Sequence, residues 1–243
     1  MTGHDNTIVD TTLNGRWPLR LPRARAERAE WHTEAGWERA RLDAIHERIT
    51  PGQLIVEVGS ECGDMAALYA SWGADVALIE ANWKSWPMQR AIWEANHLLA
   101  PVVTFDGFAG EGARPGQDTD GRLVLGGWPD AAGNGEDSPY DFRTLHSGYD
   151  FIPVLPLDVI RAEVGRPFDH IAVDVEGAEV DVMLGASRVL AEDRPVCHLS
   201  VHPDFIPQYQ HTAQDLHALM VAAGYRGTCL ARLHEEHWLY EPS

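Results

Sequence analysis

The chain has 243 residues, of which 44% are hydrophobic, and its 37 acidic and 19 basic residues give a formal net charge of −18. This hydrophobic content is enough for one core, and we expect a single domain over residues 1–243. Nucleic acid is not an expected partner, because no cluster of Lys and Arg is dense enough to follow a phosphate backbone. Even the arginine-rich stretch from Arg16 to Arg41 is interrupted by acids, namely Glu27, Glu30, Glu34 and Glu38.

The cysteines and the apolar runs bear on the cellular compartment. Cys62, Cys197 and Cys229 are too scattered for a disulfide framework or a Cys-x-x-Cys site, and we expect reduced thiols. No apolar run reaches the roughly 18 residues of a membrane span, and the first residues lack the features of a signal peptide. The sequence therefore predicts a cytoplasmic protein with no membrane partner.

The first 50 residues are predicted to form a lead-in and one helix. Residues 1–30 are polar and contain Pro and Arg, so we expect a partly ordered segment. A helix is predicted from Thr33 until the pair Pro51-Gly52, since apolar residues recur at a spacing near 3.5. Those apolar positions are Ala35, Leu42, Ile45 and Ile49. We expect this helix to lie against the sheet beside the ligand crevice.

The most informative segment lies between residues 54 and 80. Leu54–Val58 is apolar apart from Glu57, as in a strand buried on both faces of a parallel sheet. Gly59 and Gly63 bracket a turn into a helix, predicted over residues 64–72, and a second strand over residues 76–80 ends in Glu80. Glu80 follows Glu57 by 23 positions, close to the roughly 20-residue offset at which such folds place an acid on ribose hydroxyls. The segment therefore predicts a nucleotide-type βαβ unit.

The glycine turn lacks the features that bind a diphosphate. Its sequence is Gly-Ser-Glu-Cys-Gly, with Glu61 where the second glycine of G-x-G-x-x-G belongs. A diphosphate there would meet a carboxylate. The acids expected around this pocket disfavour NAD or ATP and suit a ligand that carries an ammonium and a sulfonium, such as S-adenosylmethionine. These acids are Glu57, Glu61, Asp64 and Glu80.

Two segments resemble a known family. Residues 56–64 (Val-Glu-Val-Gly-Ser-Glu-Cys-Gly-Asp) resemble the first motif of class I methyltransferases, and residues 168–186, with Asp-Val-Glu-Gly-Ala-Glu at 174–179, resemble the hallmark of the FkbM methyltransferase family. The resemblance extends from about Leu54 to His202. It implies an S-adenosylmethionine-dependent O-methyltransferase acting on a hydroxyl, often of a sugar, glycan or polyketide. This chain departs from the pattern at Ser200, where many relatives have an acid before the His-Pro pair.

The resemblance also implies the fold. We expect an α/β, Rossmann-like class I methyltransferase, with a seven-stranded, mostly parallel sheet that ends in an antiparallel C-terminal hairpin and helices on both faces. Further helices are predicted over residues 88–98, 158–164, 178–190 and 214–223, and strands over residues 102–106, 169–174, 196–201, 225–231 and 237–240. Residues 107–150 are predicted to be a loop-rich insertion with at most one short hairpin, either a substrate lid or an unspecialised loop.

Four of the predicted cofactor contacts have a specific expected role. Glu57 is expected at the methionine ammonium and Glu80 at the ribose hydroxyls. Trp83 is expected near adenine or in the core, and Asp106 at the adenine amino group or as a strand-end acid. The complete predicted cofactor set is Glu57, Gly59, Ser60, Gly63, Asp64, Glu80, Ala81, Trp83, Asp106 and Asp174.

Asp174 and His202 are the candidate catalytic residues. Asp174 ends a strand and is expected to face the transferred methyl, while His202, with an ordinary pKa near 6.5, is expected to accept a hydroxyl proton. Metal dependence is left open: Asp174 and Glu176 could hold a divalent cation, but no ligand spacing demands one.

Neighbouring residues receive simpler interpretations. Gly177 is expected to let the backbone pass the cofactor, and Glu179 to be no more than an acid in a first helical turn. His234 and His237 are expected at the surface.

Two other functions compete with this assignment. A non-catalytic S-adenosylmethionine-binding or assembly protein would keep the pocket, and a methyltransferase could act on a non-sugar acceptor. A nucleotide-dependent oxidoreductase is disfavoured by Glu61. The sequence leaves the acceptor and the oligomeric state open.

Overall fold

A computed structural model describes residues 7–29, 38–112, 122–129, 152–232 and 235–243. Among these residues, eight strands form one central sheet. They are β3 (Leu54–Val58), β4 (Asp75–Ile79), β5 (Val103–Phe105), β7 (Leu123–Leu125), β9 (His170–Val173), β10 (Val196–Val201), β11 (Tyr225–Arg232) and β12 (Glu236–Pro242). Two further pairs are the hairpin of β1 (Ile8–Leu13) with β2 (Trp17–Pro22) and the parallel pair of β6 (Phe108–Ala109) with β8 (Val154–Leu155).

The order of strands across the sheet is β11-β12-β10-β9-β3-β4-β5-β7. The five strands from β10 to β5 are parallel, and antiparallel pairs lie at both edges. The chain runs outward from β3 through β4 to β5 and then returns to β9 on the other side of β3. The carboxyl ends of β3 and β9 therefore flank the switch point, where open α/β sheets bind ligands.

The predicted mostly parallel sheet with a C-terminal hairpin is confirmed, with eight strands in place of seven. The additional strand is β7, which pairs with β5 in antiparallel register. It comes from the one apolar run that the sequence offers within residues 107–150, where only a short hairpin was expected.

Helices cover both faces of the sheet. Those described are α1 (Arg23–Ala26), α2 (Arg39–Arg48), α3 (Asp64–Ser71), α4 (Trp86–Ala95), α5 (Leu157–Val164), α6 (Glu179–Leu184), α7 (Ser187–Glu192) and α8 (Ala213–Ala222). Leu54, Val56 and Val58 of β3 pack in a core with residues from α5 to α8, while Ile55 packs in a second core with residues from α2 to α4. Burial on both faces explains why β3 is almost wholly apolar. Within the described residues, every helix is too short or too polar to cross a bilayer.

The N-terminal segment is more ordered than expected. Residues 8–22 form a hairpin, so the prediction of a partly ordered lead-in is wrong for them. Trp17, Leu19 and Leu21 are buried and alternate with exposed residues, which is the period of a half-buried strand. Asn96, which follows α4, accepts from the Arg20 amide at 2.8 Å and donates to its carbonyl at 2.8 Å.

Two predicted helices differ from the observed ones. The helix predicted over residues 178–190 is split into α6 and α7 at Gly185, where an added Cβ would overlap the carbonyl of Gly110. The helix predicted from Thr33 begins at Arg39 in the described chain, and residues 30–37 lie outside it. Most of the predicted insertion, residues 113–121 and 130–151, also lies outside the described residues, so its role as a lid stays a prediction.

Gly59 allows β3 and β9 to approach each other at their carboxyl ends. Its φ is +81°, and an added Cβ would overlap the carbonyl group of Asp174. Gly52 is a matched control, because its φ is +85° and an added Cβ would lie in open space.

We expect Gly52→Ala to lower the free energy of unfolding by about 1–2 kcal/mol, the strain of a left-handed residue. In Gly59→Ala the added Cβ also overlaps the backbone of Asp174. We expect this variant to lose about 1–3 kcal/mol more of the free energy of unfolding than Gly52→Ala does. Urea denaturation monitored by circular dichroism measures both. Equal losses would contradict a close approach of the two strands.

Candidate active site

Three predicted site residues follow three adjacent strands. Val58 of β3 is in register with Ile79 of β4 and with Val173 of β9. The next residues, Gly59, Glu80 and Asp174, therefore lie side by side at the carboxyl edge of the sheet. The structure thus brings these three predicted residues to one edge of the sheet, and their contact with a cofactor stays a prediction.

The glycine turn fixes the carboxylate of Glu80. The backbone amide of Glu61 donates to Glu80 Oε2 at 2.7 Å, and the amide of Asn82 donates to Oε1 at 2.7 Å. Burial raises the pKa of Glu80 to about 7, against the opposing effect of the two amides. Each oxygen keeps a further acceptor position, since a carboxylate has about four.

Two other turn residues face α4. Gln89 donates to Ser60 Oγ at 3.0 Å and to the Glu61 carbonyl at 2.9 Å. A Cβ added to Gly63 would lie 2.9 Å from Gln89 Cγ. These contacts hold the turn in place, and a cofactor contact for Ser60 or Gly63 stays a prediction.

Asp64 and Glu61 do not add unpaired negative charge to the pocket. Arg25 of α1 donates to Asp64 Oδ2 at 2.9 Å and to Glu61 Oε2 at 2.9 Å. Asp64 and Arg25 are both buried. The prediction of an uncompensated acidic lining is therefore wrong for these two acids, because Arg25 belongs to a segment that sequence reasoning treated as a lead-in.

Arg41 of α2 is the main residue that sequence reasoning missed. Its buried guanidinium lies 3.2 Å from Glu38 Oε2, 3.1 Å from Glu57 Oε1 and 3.4 Å from Asp174 Oδ2. Burial raises the pKa of Glu57 to about 6, while the charge of Arg41 opposes that rise. Glu57 was predicted at the methionine ammonium, but its observed cationic partner is Arg41.

His202 lies on the other side of Asp174. Its Nδ1 lies 2.7 Å from Glu179 Oε1, and its Nε2 lies 2.7 Å from Glu235 Oε2. The Nε2 atom is also 3.6 Å from Glu176 Oε2 and 3.8 Å from Asp174 Oδ1. His202 is buried, whereas about a quarter of the Asp174 side chain is exposed.

These carboxylates change the protonation of His202. Burial lowers the pKa of the imidazole, but the hydrogen bonds to Glu179 and Glu235 outweigh burial and raise the pKa to about 11. The expectation of a histidine with a pKa near 6.5 that accepts a proton is therefore wrong for this arrangement. Burial raises the pKa of Asp174 well above its usual range, against the opposing charge of Arg41.

Two of these acids had no expected role. Glu179 is fully buried and bonds to His202, so it is more than an acid in a first helical turn. Glu235 lies just before β12, more than 30 positions after His202. No local sequence pattern predicts its contact with His202.

The C-terminal hairpin also corrects a prediction about histidine. His237 was expected at the surface, but it is buried, and its Nε2 lies 3.3 Å from Glu235 Oε1. Its Nδ1 lies 3.4 Å from the hydroxyl of Ser200, which is its cross-strand partner. His234 lies outside the described residues.

The residues predicted around adenine remain predictions. Ala81 and Trp83 are half-buried, and the ammonium of Lys84 lies 5.4 Å from the Trp83 ring centre. Asp106 accepts from Arg122 at 3.0 Å, as a strand-end acid would. Burial raises the pKa of Asp106, although the charge of Arg122 opposes that rise.

Gly177 makes room for the chain at Phe205. Its φ is +111°, and an added Cβ would lie 2.8 Å from the backbone carbon of Phe205. The structure thus gives Gly177 a role within the protein, and the expectation that it lets the backbone pass the cofactor stays a prediction. The Phe205 ring stacks on His202 with centroids 5.9 Å apart.

Comparison with known proteins bears on the family. Residues 116–226 match the family model of the methyltransferase FkbM domain. A crystal structure of a methyltransferase FkbM from Methylobacillus flagellatus KT has a TM-score of 0.52 and 17% identity, over 80% of this chain and 44% of that one. The resemblance to the FkbM methyltransferase family is confirmed. The segment matched to the FkbM domain contains Asp174, Glu179 and His202 but begins after Gly59 and Glu80.

The class I methyltransferase fold is likewise confirmed, and this chain spans less than half the length of the solved FkbM methyltransferase. A second solved structure, magnesium protoporphyrin IX methyltransferase from Synechocystis PCC 6803, has a TM-score of 0.47 and 14% identity, over 83% of this chain and 78% of that one. No curated protein is a significant match.

The contacts of Arg41 predict a large contribution to stability. Arg41→Met leaves three carboxylates without this cation, and removing one partner of a buried ion pair costs about 3–5 kcal/mol. Arg39→Met is the control, because Arg39 lies on the same helix with a largely exposed side chain.

We expect Arg41→Met to lower the free energy of unfolding by about 3–5 kcal/mol. We expect Arg39→Met to lower it by less than about 1 kcal/mol. Urea denaturation measures both variants. A loss no larger for Arg41→Met than for the control would contradict the central position of Arg41.

Proposed function

We propose that the protein is an S-adenosylmethionine-dependent O-methyltransferase whose acceptor is a hydroxyl of a sugar, a glycan or a glycosylated natural product. The observation that carries the proposal is the position of Glu80 at the end of β4, next to the switch point between β3 and β9. Its two oxygens are held by backbone amides, and each keeps a further acceptor position. Two vicinal ribose hydroxyls match this arrangement.

The same turn favours an adenosyl ligand without a diphosphate. The side chain of Glu61 stands where a dinucleotide turn has its second glycine, and more than half of it is exposed. Because Arg25 compensates the charge of this carboxylate, the obstacle to a pyrophosphate is steric: a side chain at this position keeps the backbone from the close approach that a pyrophosphate requires. S-adenosylmethionine carries an adenosine and two cationic groups but no phosphate.

Methyl transfer requires alignment and the removal of one proton. The acceptor oxygen attacks the methyl carbon, the carbon–sulfur bond breaks, and S-adenosylhomocysteine leaves. Asp174 is the proton acceptor in our proposal, because it ends β9 beside Gly59 and is partly exposed. His202 is a positioning residue, since both of its ring nitrogens already lie 2.7 Å from carboxylates.

The acceptor class is proposed from the family resemblance and from an aromatic side chain near His202. The family resemblance favours a sugar hydroxyl, and the exposed ring of Phe205 beside His202 offers the kind of aromatic lining that small-molecule sites use. A cytoplasmic location and a single-domain organisation over residues 1–243 also remain predictions.

A non-catalytic binding protein is the main alternative. Asp174→Asn separates the two functions, because it removes the proton acceptor and leaves Glu80 in place. We expect this variant to bind S-adenosylhomocysteine and to lose transfer of labelled methyl to a panel of sugar and glycoside acceptors. No transfer by the unaltered protein to any hydroxyl compound, with intact cofactor binding, would favour the alternative.

Calorimetric titration with S-adenosylmethionine, S-adenosylhomocysteine, NAD and ATP tests the cofactor. We expect micromolar binding of the two adenosyl ligands only. Glu80→Gln should weaken it at least about tenfold, since hydrogen bonds to a charged group are worth about 1.5–3 kcal/mol. Glu94→Gln, an exposed acid on α4, is the control. Equal affinity in both variants would contradict the role of Glu80.

The pKa of Glu80, raised to about 7, predicts how affinity depends on pH. Below pH 7 the buried carboxyl is largely protonated and has fewer acceptor positions for the ribose hydroxyls. Above pH 7 it is ionised and accepts from the hydroxyls as well as the two amides. We expect the affinity for S-adenosylhomocysteine to rise several-fold from pH 6 to pH 8. The same rise in Glu80→Gln would show that another group is responsible.

A further inference from the structure

Three carboxylates from different elements converge on one nitrogen of His202. Nε2 lies 2.7 Å from Glu235 Oε2, 3.6 Å from Glu176 Oε2 and 3.8 Å from Asp174 Oδ1. The possible ligand atoms of Asp174, Glu176 and His202 lie within 4.8 Å of one another. These atoms are close enough to surround one ion.

The other nitrogen of His202 is held in the way that metal-binding histidines require. Nδ1 lies 2.7 Å from the carboxylate of Glu179, which is fully buried. When a cation replaces the proton on Nε2, the proton on Nδ1 is still donated to Glu179, and the lone pair of Nε2 faces the carboxylates of Asp174 and Glu176. A carboxylate that fixes the tautomer and the ring orientation is the usual outer contact of a metal-bound histidine.

The charges of the cluster also favour a cation. Within the described residues, this cluster contains six carboxylates, the guanidinium of Arg41 and the imidazoles of His202 and His237. These acids are Glu38, Glu57, Asp174, Glu176, Glu179 and Glu235. Arg41 contacts Oδ2 of Asp174, so Oδ1 is the oxygen on the side of His202. Buried carboxylates are normally compensated by a cation or a metal.

The carboxylate of Glu235 has a support of its own. Its Oε1 lies 3.3 Å from Nε2 of His237, and His237 is buried between Ser200 and this acid. Because one oxygen of Glu235 faces His237, the other is directed at His202. The C-terminal hairpin thus supplies a carboxylate that contacts His202, while Asp174, Glu176 and His202 themselves come from the ends of β9 and β10.

We propose that His202 Nε2, Glu176 and Asp174 bind one divalent cation, with Glu179 orienting the histidine and Glu235 beside Nε2. One imidazole and two carboxylates combine the ligand types of Zn²⁺ and Mn²⁺, and Mn²⁺ is the probe that we favour. A sequence reading could consider only Asp174 and Glu176, because the third ligand is distant in the chain.

This inference rests in part on the proposed function, because the ion would act in the same crevice. When bound, it would lower the pKa of an acceptor hydroxyl that coordinates to it, and Asp174, with one oxygen toward the ion, would still accept the proton of that hydroxyl. Binding of the ion itself requires neither cofactor nor acceptor, so it is measured without them.

The test is a titration of the chelator-treated, full-length protein with Mn²⁺, followed by the electron paramagnetic resonance signal of the free ion. We expect one ion per chain. His202→Gln should abolish binding, and Glu176→Gln should weaken it at least tenfold. Glu176 is partly exposed, so its variant reports on ligation even where the His202 variant does not fold. His211→Gln, which changes a histidine paired with Asp181 at 3.1 Å, is the control and should bind normally.

Two results would overturn the cation site. One is that the folded protein binds none of Mn²⁺, Zn²⁺ and Mg²⁺ at millimolar concentration, and the other is that Glu176→Gln binds Mn²⁺ as well as the control does. Titration with S-adenosylhomocysteine separates this result from the proposed function. Cofactor binding without Mn²⁺ binding rejects the cation site alone, and Mn²⁺ binding without cofactor binding rejects the methyltransferase proposal alone.

Discussion

The buried guanidinium of Arg41 is the constraint on which the arrangement of the crevice depends. It contacts carboxylates from the start of α2, from the middle of β3 and from the end of β9. Without a cation these three groups would repel one another in a medium of low dielectric constant. Because Arg41 belongs to α2, the N-terminal part of the chain is fixed to the carboxyl edge of the sheet by charge as well as by apolar packing.

This constraint divides the crevice into two parts with different chemistry. On the β4 side, Glu80 is fixed by two backbone amides and suits neutral hydroxyl groups. On the β9 side, Asp174 stands between Arg41 and a histidine that is surrounded by acids. Gly59 allows the two sides to meet, because no side chain separates β3 from the backbone of Asp174. In the proposed function, recognition and reaction thus occupy opposite sides of one topological switch point.

The sequence predicted the parts of the fold that have local signals. Strand β10 has its predicted bounds, and Gly59, Glu80 and Asp174 meet as expected, because buried strands and glycine turns are encoded in short segments. The remaining features depend on contacts between distant positions. Arg25 pairs with Asp64 across 39 positions and Arg41 with Asp174 across 133, and no local periodicity reveals such pairs. The buried state of His237 likewise follows from pairing with β10.

A crystal structure with S-adenosylhomocysteine tests the central claim, that an adenosyl cofactor binds at the switch point between β3 and β9, most directly. The account predicts that the ribose hydroxyls contact the carboxylate of Glu80 and that the sulfur lies on the side of Asp174. A ligand bound elsewhere on the protein, or a crevice that stays without ligand at saturating concentration, would contradict it.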